Sequence, residues 1–271
     1  MYMSEKKESI SKEQQTFLNQ IKWRKRTIFY LQFFFIFLFF VLWELSARNE
    51  WIDPFIFSQP SKIILTTEEM LKDGTLWMHI FTTLWETVAG FTFGTLLGTL
   101  IAVLLWWNPF LYEVSEPYLV VLNSLPKTAL APIIIVWFGN NQSSIILVAL
   151  LTSIVVTILT VLNGFQQVDE EKIKLIQIFG GNKKQVLTKV VFPANIPCIL
   201  NALKINVGLS FVGVIVGEFL VAQNGLGFLI TYYSQTFQMS RVLLAILILA
   251  FLSAIMYALL SIFEKKFLKW Q

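Results

Sequence analysis

One cysteine, Cys198, and one histidine, His79, are all that the chain offers in soft-ligand and imidazole chemistry. A single thiol excludes an intrachain disulfide. Cys198 and His79 together cannot supply a metal-ligand spacing, so no metal site and no catalytic residue is expected. Charge is equally sparse: Asp, Glu, Lys and Arg make up 14% of the 271 residues, against 56% hydrophobic. That balance lies outside the range of a soluble domain. The chain has no G-x-x-x-x-G-K-[S/T] phosphate loop, so nothing in it is built to hydrolyse a nucleotide. The first 27 residues are polar and lack the short apolar core and small-residue cleavage site of a secretory signal, so the first apolar stretch is expected to stay attached as an anchor. Ten-residue alternation of the outer-membrane type is missing, as is any internal repeat.

What is present is apolar sequence in blocks. A bilayer span takes ~20 helical residues, and lipid leaves the backbone no water to bond, which makes helices the default. The fold class is therefore an all-α polytopic membrane protein with about six transmembrane helices, at about 28–45, 80–106, 118–137, 143–162, 199–222 and 242–263. The expected division is a cytoplasmic N-terminal segment (1–27), a first transmembrane helix (28–46) and a core transmembrane domain (79–271) containing a loop at 164–197.

The net charge of +4 does not point to nucleic acid, because the basic residues flank the apolar spans rather than lining a polar face. Lys22, Arg24, Lys25 and Arg26 precede the first span, Lys172 to Lys189 follow the fourth, and Lys265, Lys266 and Lys269 follow the sixth. All fall on one side if both termini are cytoplasmic, in a multi-pass protein of the cell membrane. Segment 108–116 falls on that side too, yet carries no Lys or Arg.

Within the spans, "FYLQFFFIFLFFVLW" has almost no small residues for helix contact and is expected to face lipid. Gly90, Gly94 and Gly98 recur every four residues, a stripe that lets a second helix approach closely. Pro126 and Pro132 bracket Lys127 and should break or kink the third span, which is tolerated at membrane depth where backbone lines a cavity or is buried in protein. Ionisable residues inside spans are functional candidates. Lys127 offers positive charge to an anion, or snorkels. Glu218 pairs with Lys127 or a cation, or bonds a neighbouring helix. Glu86 reads as interfacial, and Lys204 as holding the preceding 164–197 loop against the bundle. The Gly225-Leu226-Gly227 turn, with Tyr232, Tyr233 and Gln235, reads as an external mouth.

The passage "KLIQIFGGNKKQVLTKVVFPANIP" interrupts this apolar chain. Asp169 is a helix cap with Glu170 and Glu171 in the first turn, where the helix dipole favours negative charge. Ile173, Ile176 and Phe179 make an apolar face, and Gly180-Gly181 end that helix. Asn182 caps a second helix with a stripe of Val186, Leu187, Val190 and Val191 opposite its lysines, closed by Pro193. Such a pair either lies in the headgroups or docks in the groove of a partner.

Gly180, nine intervening residues, then Val190, Val191, Phe192 and Pro193 match the glycine-to-"I-x-L-P" spacing of the cytoplasmic "EAA" loop. The chain thereby resembles the permease subunits of binding-protein-dependent ABC importers. It departs from the motif at Lys174, where the glutamate would stand, and at Leu175-Ile176, where it has alanines. "LNSLPKTALAPIIIVWFG" (122–139), "GEFLVAQNGLGFLI" (217–230), "FSQPSKI" and the basic, tryptophan-ended tail are similar to the sulfonate/nitrate/taurine branch. The resemblance extends from about residue 60 to the end. It implies a type I importer bundle, a homodimer of this subunit, two cytoplasmic ATPase subunits that bind the ATP, and an extracytoplasmic solute-binding protein. It implies no cofactor in this chain. The 164–197 loop would then be the coupling element to the ATPase, through Lys174, Leu175, Ile176, Phe179, Gly180, Gly181, Val190 and Pro193. The solute would be small and polar, a sulfonate, nitrate, taurine or vitamin precursor, with Lys127 favouring an anion. An ion-gradient-driven secondary transporter is the competing class. Lack of a repeat and few coupling carboxylates count against it.

Overall fold

A computed structural model describes residues 12–267, with side chains from 15 to 266. Residues 1–11 of the N-terminal segment, and Lys269 and Trp270 of the tail, lie outside the described residues. Every regular element among those described is helical. The described residues fall into two compact units, divided between Ile64 and Leu65.

In the first unit, α1 (Lys12–Arg48) is 37 residues long. Residues 12–27, read from sequence as a separate polar segment, continue the span without a break. Its most apolar stretch has no buried residue, and Phe33, Phe35, Phe37 and Phe39 all stand exposed. After α1, Asp53 caps the short α2 (Pro54–Phe57) by accepting from the Phe55 N–H. The Trp43 indole donates to the Phe57 carbonyl, and Glu44 accepts from Arg48 and from the Ser61 N–H. Helix α3 (Pro60–Lys72) occupies what sequence reading left as loop.

The second unit is built on α4 (Thr75–Trp107), α7 (Gln142–Gln166) and α11 (Ile196–Val221), with α7 packed extensively on both of the others. Gly90, Gly94 and Gly98 of α4 lie directly against Ala149, Ser153 and Thr157 of α7, with no space left for a side chain. On α11, Gly213 lies against Ala149 and Gly217 against Ile145. Helix α7 thus runs in a trough of glycines from both neighbours, a close approach in which dispersion replaces the missing hydrophobic drive between helices in lipid. Asn206 crosses the same interface, donating to Thr95 at 3.0 Å and Thr157 at 2.6 Å.

The third expected span is not one helix. Asn108 caps α5 (Pro109–Ser124), so the segment 108–116 is a helix cap followed by helix. A 3₁₀ turn (Lys127–Leu130) leads to α6 (Ala131–Phe138), and the two halves meet at 90°. Pro132 does not kink the chain, because it sits in the first turn of α6, where a missing N–H costs nothing. Pro126 precedes the 3₁₀ turn at the bend itself. Among the described residues, five single helices are long and apolar enough to span a membrane, and this bent pair raises the number to six.

Four short helical pieces lie between α7 and α11: α8 (Glu170–Ile178), α9 (Lys183–Val186), a π turn (Leu187–Val191) and α10 (Phe192–Ala194). After α11 comes α12 (Leu226–Gln235), in the stretch read as a mouth, and then α13 (Met239–Phe267). Lys204 does not hold the 164–197 loop: it pairs with Glu264 of α13 at 2.5 Å and lies over the Tyr257 ring.

Candidate functional site

The 170–194 segment is anchored on one side and bare on the other. Asp169 accepts from the Glu171 N–H to start α8. Gly180 ends that helix at φ +78°, a left-handed conformation that any side chain would strain, and its N–H donates to Gln177 O at 2.9 Å. Gly181 closes the turn on Ile176 O at 2.9 Å. The second helix opens with a reciprocal capping box: Asn182 accepts from the Gln185 N–H, and the Gln185 side chain accepts from the Asn182 N–H.

Val186 and Val191 are fully buried in one cluster with Leu105 of α4, Leu162 and Phe165 of α7 and Ala202 of α11, and Ile173 and Ile176 pack against it. Val190 is only half-buried. Pro193 does not close the helix. Its ring would meet the carbonyl four residues back in an ideal α-helix, and the chain takes a wide turn instead, with the Phe192 N–H donating to Leu187 O. The helix ends at Asn195, whose side chain donates to Val191 O.

Lys183 fastens this segment to α4. Its Nζ donates to the carbonyl of Trp107 at 2.6 Å and lies 5.7 Å from the ring centres of both Trp106 and Trp107. Trp107 ends α4, so the ammonium meets unsatisfied carbonyls at the negative end of a 33-residue helix dipole. Sequence reading missed this partner because 76 residues separate the two.

The opposite face is apolar and open. Ile178 and Phe179 are each 81% exposed and Leu175 is 54% exposed. Ile176, Phe179, Gly180, Gly181, Gln185 and Lys189 line a shallow groove between the two helices. Lys174, at the motif glutamate position, points away from the core and pairs with Glu170 at 3.1 Å.

The candidates for the translocation path are dispersed. Lys127 donates to the carbonyl and side chain of Asn123 at the α5–α6 bend. Glu218 lies elsewhere, fully buried: Oε1 accepts from Thr83 at 2.6 Å and Oε2 from the Gly227 N–H at 2.5 Å. Thr83 in turn accepts from the Leu226 N–H, and His79 from the N–H of Gly225 at 3.0 Å. Gly225, at φ +116°, turns the chain so that consecutive N–H groups point back at α4. Lys127 and Glu218 are not brought together. Glu86, read as interfacial, is fully buried beside Glu218, on the wall of a cavity of about 240 Å³. Its position near the end of a span gave no sign of the helices packed around it.

Comparison with known proteins agrees with this architecture. A putative aliphatic sulfonates transport permease protein, SsuC, from Bacillus subtilis is 26% identical over 85% of this chain and 83% of its own length. The formylaminopyrimidine transport permease protein ThiX of Halalkalibacterium halodurans is 30% identical over 88% of this chain and 94% of its own. An inward-facing structure of the MetNI methionine ABC transporter superposes with a TM-score of 0.64 over 72% of this chain and 95% of that one, at 20% identity, and shares the fold. Residues 94–269 match the family described as binding-protein-dependent transport system inner membrane component. The helices that hold the anchored loop, the glycine trough and the bent span are thus those of a transport permease, and the chain belongs to that family of ABC importer membrane subunits.

Proposed function

We propose that two copies of this chain form the translocation path of an importer, with one ATPase subunit docked on the 170–194 loop of each copy and a solute-binding protein at the opposite face. Family membership makes the chain a multi-pass membrane permease rather than an enzyme, working with an ATPase and a binding protein. ATP is then bound by the ATPase subunit and not by this chain. The termini and the loop share the cytoplasmic side, because the basic residues of 22–26, 172–189 and 265–266 gather there.

The observation that carries the reading is the split character of the loop. Ile178 and Phe179 are four-fifths exposed, while Val186 and Val191 behind them are fully buried among α4, α7 and α11. An exposed apolar face on a rigidly backed helix is a docking surface, and its backing converts a push on that face into movement of three spans. Lys174 leaves the docking to apolar contact, since its charge is spent on Glu170. The cargo is a small polar solute of the kind named for the relatives, a sulfonate or a formylaminopyrimidine.

Co-purification tests this. Phe179→Asp should abolish retention of the ATPase in detergent, while the permease still inserts and elutes as a single species. Undiminished retention, or solute uptake by the purified chain under an ion gradient without ATP, overturns the proposal.

A further inference from the structure

The second half of the 170–194 loop carries charge of one sign. Between Glu171 and Glu218 the sequence has no Asp or Glu, while Lys172, Lys174, Lys183, Lys184, Lys189 and Lys204 all fall in that interval. Three of these are already occupied: Lys174 by Glu170, Lys183 by the Trp107 carbonyl and Lys204 by Glu264. Lys189 is exposed, and among the described residues it forms no ion pair. It lines the groove between the two helices, a space of about 250 Å³ with Ile176 and Phe179 contributed by the first helix and its cap and Gln185 by the second. The acids of the loop stand at the start of α8, where Asp169 caps the helix and Glu170 holds Lys174.

We infer that the ATPase surface docked on this loop presents a carboxylate to Lys189, next to an apolar pocket that takes Ile178 and Phe179. This rests on the docking reading above and adds the sign of the partner's charge. A glutamate at the motif position would call for a cation or an N–H donor in the partner. Lys174 removes that demand, and the free charge of the docking face has passed to the second helix with its sign reversed. An ammonium covered by a partner loses water, and without a counter-charge the loss is costly, so an acid opposite Lys189 is what a fitting partner supplies. Headgroup phosphate is the other anion a lysine here could meet. The stripe that an interfacial helix would lay on the bilayer, Val186 and Val191, is instead buried in the bundle. What stays exposed is the turn at Ile178 and Phe179, a knob suited to a protein cavity.

The test measures binding of the ATPase that co-purifies with the wild-type chain to permease held in nanodiscs, in neutral phosphatidylcholine and with phosphatidylglycerol added. Lys189→Glu should weaken binding about tenfold or more at low salt in both lipids. The loss should shrink as salt is raised to about 1 M, where screening reaches ~3 Å. Lys189→Arg should bind within twofold of wild type. Lys174→Glu, which adds an acid and releases Glu170, should also weaken binding, and it decides the matter if Lys189→Glu does not fold. One reversal of an acidic residue to lysine on the ATPase should restore binding to Lys189→Glu while weakening it to wild type. Lys189→Glu within twofold of wild type, stronger binding by Lys174→Glu, or a loss confined to phosphatidylglycerol discs overturns the inference. Wild-type binding beside an unchanged Lys189→Glu leaves the docking reading standing, whereas no wild-type binding overturns both.

Discussion

Lys183→Met should separate ATP hydrolysis from transport. In the wild-type chain the ammonium donates to the last carbonyl of α4 at 2.6 Å and lies over two indole rings at 5.7 Å. Hydrogen bonds to charged groups are worth about 1.5–3 kcal/mol, and exposed cation–π contacts about 0.5–1 kcal/mol. The low ends of these ranges combine to about 2 kcal/mol, and because Lys183 is exposed and solvent screens both contacts, a reduced combined value of about 1.5 kcal/mol is used. If the clasp transmits loop movement to α4, losing it raises the barrier by that amount, and uptake falls about tenfold. The assay is ATP-driven uptake and ATP hydrolysis measured together in proteoliposomes of the assembled transporter. Lys183→Met should lower solute moved per ATP, and Lys183→Arg, which keeps a donor and a cation at that position, should recover most of it. Met retains the aliphatic stem, so packing is disturbed little. Uptake per ATP within twofold of wild type in the Met variant, with the ATPase fully retained, would refute the idea that α4 is driven through this contact.

Gly94→Leu should destabilise the bundle, since a side chain there meets Ser153 and the Leu150 carbonyl; the overpacking cost is about 1–3 kcal/mol, read as a lower unfolding temperature in detergent. An unchanged temperature would mean that α4 and α7 are not held this closely. Thr83→Val, nearly isosteric, removes both the acceptor for Leu226 N–H and the donor to Glu218, and should cost about 1–3 kcal/mol in the same assay. Stability equal to wild type would show that the turn at Gly225 is not fixed through α4.

The sequence displayed the helical class and the apolar spans openly, because composition and block length are read without knowing any neighbour. It displayed the two helices of the loop for the same reason: Asp169, Gly180-Gly181 and Asn182 act within one turn of themselves. The bend at residues 124–127 was harder. Two prolines announced a disruption, but whether a proline kinks a helix or starts one depends on where the helix begins, and Pro132 starts one. Helices α3 and α12 were hidden in stretches too short and mixed to show a span. Glu86 and Lys183 were the larger misses. Each is defined by what another part of the chain brings to it, across 132 residues to Glu218 in one case and 76 to Trp107 in the other.

Helix α1 carries a further consequence through its length alone. Its apolar run, 28–45, measures about 27 Å, close to the ~30 Å thickness of a hydrocarbon core. Immediately before it stand Lys22, Arg24, Lys25 and Arg26, and near its other end Arg48. Sliding the helix along its axis by more than about a turn would drag one of these cations into oil, so α1 is a depth gauge that fixes its own height in the bilayer. Residues 12–21, the first turns of the same helix, then stand clear of the membrane as a helical post rather than a tether.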